Sequence, residues 1–180
     1  MLTDDMIRVV RTQRLGFVAT VRPDGTPNLS PKGTLDVLND ATLVFVDLAS
    51  PGTVANLAHN PAVEVNVVDP VARRGYRFAG RGEVVREGPR FEAATALYAD
   101  RQYPVPIERI VLIHLTSAGP LWSPAYDWGE TEEGLTATYW ARLKDRYGHL
   151  DTPSSLGAVW DTPCASTPNT GGGTWRSKAT

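Results

Sequence analysis

Short apolar runs separated by turn formers fill most of this chain, and they predict strands joined by tight hairpins with a few small helices between them. Residues 3–14 open as a helix: Thr3 can cap it, Asp4 and Asp5 suit its first turn, and Arg11 and Arg14 suit its last. Residues 15–21 form a first strand, ended by the turn Arg22-Pro23-Asp24-Gly25. Residues 26–38 form a second strand, and Asn39-Asp40 a second tight turn. Residues 42–48 are a third strand, apolar enough to be buried on both faces. A short helix over 51–59 follows and is stopped by Asn60-Pro61. A fourth strand, 62–68, alternates Glu64 and Asn66 against Val63, Val65 and Val67. Residues 75–86 are a fifth strand, 89–99 a helix, and 109–116 a sixth strand.

Six strands linked mostly by hairpins predict a mainly β fold with small helices, a closed antiparallel barrel rather than a parallel sheet. Residues 119–127 are too rich in turn formers for regular structure, and a helix runs over 131–147. From Asp151 the composition shifts to Pro, Ser, Thr and Gly, the mark of a flexible tail. Trp160 and Trp175 leave open a second reading, in which that segment packs on the barrel or on a partner chain. The chain therefore divides into a barrel domain (1–128), a helix (129–150) and a tail (151–180).

The chain has 180 residues, 42% hydrophobic and 21% charged, with a net charge of −2. That supports one domain with a real core, and the near-neutral balance argues against nucleic acid or an anionic membrane as partner. The single cysteine, Cys164, excludes an internal disulfide, and His59, His114 and His149 are too scattered to form a metal-ligand motif. The polar, acidic start is no signal peptide and no apolar run has membrane-spanning length, so a cytoplasmic protein is expected.

The chemistry concentrates at the start of the 51–59 helix, where Ser50, Pro51, Gly52 and Thr53 present unpaired N–H groups and the positive end of the helix dipole. Ser50 can cap, Gly52 lets an anion approach the backbone, and Thr53 offers a hydroxyl. An ordinary capped helix has the same residues. Lys32, in Ser30-Pro31-Lys32-Gly33-Thr34, can aim a charge at that helix start from the neighbouring strand, or can be a solvated strand lysine. An arginine from Arg73, Arg74 or Arg77 is the second cation expected to converge there, with Tyr76 beside it. The dinucleotide fingerprint and the P-loop are absent, and Ser30, Ser50 and Ser123 sit in no nucleophile motif. His59 and His114 read as structural, and no catalytic residue is assigned. An anion site without an acid–base set is explained by a phosphorylated cofactor that brings its own chemistry.

The succession FVATVRPDGTPNLSPKGT, LVFVDLASPGTVANLAHNP, VEVNVVDP and RRGYRFAGRGEVV resembles the pyridoxamine 5′-phosphate oxidase-like family of flavin-binding split β-barrels. The likeness runs over residues 4–127. It implies FMN at the interface of a homodimer. Ser30, Pro31, Lys32 and Gly33 would run beside the flavin, with Val46 and Asp47 near the ring or ribityl chain. Ser50, Gly52, Thr53 and Asn56 would lie at the phosphate, and Arg77 would add charge. Trp122 and Tyr126, in LWSPAYD, would cover the ring or pack in the core. The family often carries a basic residue where this chain has Gly52 or Thr53, which places more weight on Lys32 or Arg77. The family's C-terminal basic and aromatic substrate motif has no counterpart here, so the chain is not expected to be pyridoxamine phosphate oxidase itself. The implied function is an FMN-dependent oxidoreductase acting on a small organic substrate, with a nicotinamide cofactor or reduced flavin as partner. The alternatives are a deazaflavin reductase and a non-catalytic flavin- or haem-binding protein.

Overall fold

A computed structural model describes residues 2–101, 103 and 106–148. The expectations for Cys164, His149 and the 151–180 tail lie outside these residues. The described residues fall into two units, 2–139 and 140–148. The elements, in chain order, are α1 (Asp4–Gln13), β1 (Gly16–Val21), β2 (Pro27–Lys32), β3 (Asp36–Asn39), β4 (Thr42–Val46), α2 (Pro51–His59), β5 (Ala62–Asp69), β6 (Arg74–Val85), α3 (Pro89–Ala96), β7 (Ile110–Trp122) and α4 (Glu132–Tyr147).

Among the described residues the sheet has seven strands, not six, in the order β2-β1-β5-β6-β7-β4-β3, and it is not a closed ring. Every pairing is antiparallel. The extra strand arises because the expected 26–38 strand is two: β2 pairs with β1 at one edge, and β3 pairs with β4 at the other. Residues 33–35 step between the edges, and Leu35, fully buried, turns into the core. The prolines of β2 suit an edge, where a missing N–H costs no ladder bond. Residues 119–122, expected to be irregular, are strand. β6 extends the ladder beyond the reach of β4, setting Tyr76 opposite Pro120 and Arg74 opposite Trp122. Among the described residues β7 pairs only with β6 past His114, so the turn formers there sit on a one-sided strand that tolerates them.

Local chemistry sets the other elements. Thr3 Oγ1 accepts from Met6 N at 3.3 Å, and Arg14 ends α1 in the left-handed conformation with its N–H on Val10 O. Gly25, with φ +83°, makes the β1–β2 hairpin turn. Val9 and Val10 bury the inner stripe of α1 against Val18, Leu35, Phe45, Val65 and Phe78. A second core of Val44, Val46, Ala94, Tyr98, Ile110 and Leu112 lies under α3. All five residues of β4 are buried, because alternate side chains enter the two cores. No helix among the described residues is long and apolar enough to cross a membrane.

Candidate functional site

The end of β2 and the segment after β4 face each other across a cleft of about 190 Å³. Its walls are Ser30, Pro31, Lys32, Gly33 and Thr34 on one side and Val46, Leu48, Ala49 and Ser50 on the other. Six of the residues expected at a cofactor thus line one hollow: Ser30, Pro31, Lys32, Gly33, Val46 and Ser50.

Lys32 is the unusual member. Only 7% exposed, it donates from Nζ to Ser30 Oγ at 2.9 Å, and the ammonium stands 5.4 Å from the centroid of the Phe45 ring. Burial lowers its pKa from the ordinary lysine value, and the charge of Asp47 opposes that shift. A solvated strand lysine is therefore not what the fold contains. Asp47, 4% exposed, is engaged elsewhere. Its Oδ1 accepts from Ser50 N at 2.9 Å and from Ser50 Oγ, and its Oδ2 lies 2.9 Å from Arg109 Nε. That last contact is ionic without hydrogen-bond alignment, since neither atom gains a hydrogen-bond partner.

Ser50 does not cap α2 with its side chain, because its hydroxyl turns back to Asp47. The first turn of α2 is left without a side-chain cap, and Pro51 opens it. A Cβ built at Gly33 or Gly52 would meet nothing within 4 Å, so both glycines face open space. Thr53 and Asn56 are buried and are not among the cleft's walls. Asn56 Nδ2 donates to Thr20 Oγ1 at 3.0 Å, which fastens α2 to β1.

The three arginines do not join this cleft within one chain. Arg73 sits in a turn with φ +59° and stacks 4.7 Å from the Tyr139 ring. Arg74 bonds Asp5 at 3.0 Å and Glu132 at 2.6 Å, and the Tyr76 hydroxyl donates to the same Asp5. Arg77 pairs with Glu64 at 3.1 Å on the outer face of the sheet. Trp122, 55% exposed, lines a separate hollow of about 340 Å³ with Arg74, Tyr76 and Tyr126. His114 lies 2.8 Å from Glu83, which also holds Arg90. Among the described residues no cluster of His, Cys, Asp and Glu could hold a metal ion.

Comparison with known proteins follows the same stretch of chain. Residues 2–116 match the family model described as pyridoxamine 5′-phosphate oxidase. The chain belongs to the pyridoxamine 5′-phosphate oxidase family. Group A Streptococcus HupZ is similar at 32% identity and a TM-score of 0.62, over 68% of this chain and 96% of that one. An FMN-binding protein from Syntrophomonas wolfei shares the fold at 16% identity and a TM-score of 0.55, over 64% and 86% of the two chains. An F420 reductase shares it at 23% identity and a TM-score of 0.52, over 66% and 98%. No curated protein matches at a significant level. Membership of the pyridoxamine 5′-phosphate oxidase family gives the open seven-stranded sheet its place as a split-barrel fold. Thr34, Leu48, Ala49 and Arg109 were not legible as site residues from the sequence. An unbroken 26–38 strand hides the step at Thr34, and Arg109 reaches Asp47 from a segment more than sixty positions away.

Proposed function

We propose that the chain is a flavin-dependent oxidoreductase that binds FMN at a homodimer interface and acts on a small organic substrate, with NAD(P)H or a reduced flavin as electron source. The observation that carries this reading is the buried ammonium of Lys32 in a cleft beside an uncapped helix start. A buried cation, the hydroxyl of Ser30 and the uncapped N–H groups at the start of α2 fit a phosphate. The nearby carboxylate, Asp47, is held by Arg109 and Ser50, which limits its repulsion of an anion. Bound FMN supplies the redox chemistry, and the chain binds and orients it. Ser30, Pro31, Lys32 and Gly33 form one wall, Val46, Asp47 and Ser50 the other. Gly52, Thr53 and Asn56 belong to the helix behind the phosphate.

The cleft, at about 190 Å³, is smaller than the roughly 300–1,000 Å³ of ordinary ligand pockets. One chain then supplies only part of the wall, and a second copy the rest. The face suited to that copy carries Phe17 at 43% and Leu29 at 66% exposure, with Pro31 continuous with the cleft. Arg77 and Trp122, apart from the cleft within one chain, are assigned to the cofactor through the second copy. Leu29→Glu is expected to shift the protein to monomer in sedimentation and to weaken FMN binding with it. A variant that stays dimeric would remove this face from the interface.

Titration of the full chain with FMN tests the central claim. The expected result is saturable quenching of flavin fluorescence and reduction of the bound flavin by NAD(P)H or a reductase. No binding sinks the proposal. Tighter binding of a deazaflavin would replace FMN by that cofactor, and a Soret band with haem alone would make the protein a haem binder. Flavin that binds but is never reduced would make it a carrier.

A further inference from the structure

The sheet meets itself across a seam rather than a ladder. Among the described residues its outer members, β2 and β3, are each paired on one side only, and no strand pairing ties the end of β2 to the end of β4, although both wall the cleft. Thr34 occupies that seam. Its Oγ1 donates to Val46 O at 3.0 Å and accepts from Val46 N at 3.1 Å. One hydroxyl thereby makes the paired bonds that a neighbouring strand would otherwise supply. The carbonyl of Thr34 in turn accepts from Tyr98 OH at 2.8 Å, and that phenol also leans on Val44 O at 3.3 Å. Tyr98 is 1% exposed, so water cannot replace these bonds. Arg101 stacks 4.7 Å from the Tyr98 ring and bonds Asp36 Oδ2 at 2.6 Å. The segment after α3 is thus pinned to β3 and β4 at the same point.

We propose that Thr34, backed by Tyr98, is a positioning residue that sets the width of the cleft, holding Lys32 and Gly33 at a fixed separation from Val46 and Ser50. The proposal rests on the reading of this cleft as the phosphate end of a flavin site. The hydroxyl of Thr34 is committed to Val46, so it acts through the wall and not on the ligand. The separation matters because N–H and ammonium donors lose strength steeply beyond ordinary hydrogen-bond distance. Valine in place of threonine keeps the shape but strands both polar groups of Val46 in a buried setting.

The test uses the full chain with T34V, T34S and Y98F, measuring FMN affinity and the hydrogen exchange of the Val46 amide. T34V is expected to weaken FMN binding by about tenfold or more and to speed exchange at Val46, as loss of two buried hydrogen bonds implies. T34S keeps the hydroxyl and is expected to stay within about threefold of the parent, with slow exchange retained. Y98F is expected to fall between them. A folded T34V with parental affinity overturns the proposal, as does T34S failing as badly as T34V, which would make the methyl group the cause. Should T34V not fold, a Y98F protein with unchanged affinity and unchanged exchange overturns it. A parent protein that binds no FMN defeats the flavin reading instead, and the exchange of Val46 in T34V still decides whether Thr34 holds the seam.

Discussion

Lys32→Met is expected to weaken FMN binding by roughly tenfold to a hundredfold, the worth of a buried hydrogen bond to a charged group at about 1.5–3 kcal/mol. The size follows from where the ammonium lies. It is 7% exposed, bonded to Ser30 Oγ and set against the Phe45 ring, so a phosphate arriving there meets a cation that water scarcely screens. The same substitution is expected to leave the ligand-free protein as stable as the parent or more so at neutral pH. Burial lowers the pKa of Lys32 below the ordinary value, so the folded state binds this proton less tightly than the unfolded chain does. The penalty is fully present while both states are protonated. It fades as pH rises through the lowered pKa and is gone above the unfolded value. Thermal unfolding of the two proteins from pH 7 upward checks this: the advantage of Lys32→Met should shrink with rising pH. Equal FMN affinity for the two proteins would remove Lys32 from the anion site. A large loss of stability at neutral pH would mean that its aliphatic stem, not its charge, is what the fold uses.

Phe45→Ala is the substitution expected to harm the fold most, at about 3–5 kcal/mol for truncation of a fully buried aromatic. Phe45 is 0% exposed and packs in the core with Val18, Leu35, Val65 and Phe78, while its ring also faces Lys32. Domain stabilities of about 5–15 kcal/mol leave little after such a loss. Urea denaturation should show the midpoint falling sharply, and Phe45→Leu should recover a large part of it because most of the volume is restored. A loss under about 1 kcal/mol would show that the core closes over the gap.

Much of this molecule is legible where the deciding interactions are local. The Thr3 cap and the Asp4 and Asp5 start of α1, the turn through Gly25, the continuous burial of β4 and the Pro51 start of α2 all depend on neighbours within a few positions. The errors occur where a distant partner decides. Pro27 to Leu38 has the composition of one strand, and it divides because β1 claims its first half and β4 its second. Residues 119–122 have the composition of a turn, and β6 holds them straight. The site shows the same divide. Lys32, Gly33 and Ser50 do line one cleft, although Ser50 bonds Asp47 instead of capping α2, whereas the convergence of an arginine from 73–77 does not occur within one chain. Asp5, Glu132, Glu64 and Tyr139 hold those guanidinium groups elsewhere, and no spacing rule foretells such pairings. Thr34 is hidden for a related reason: its role exists only once Val46 is beside it.

β4 contributes Leu43 and Phe45 to one core and Val44 and Val46 to the other. A single five-residue strand is therefore the shared wall of two hydrophobic compartments, and neither can melt while the other keeps it in place. The far end of that strand is the floor of the cleft at Val46. Occupancy of the cleft should accordingly be felt on the opposite side of the wall, under α3, as a common rise in resistance to unfolding.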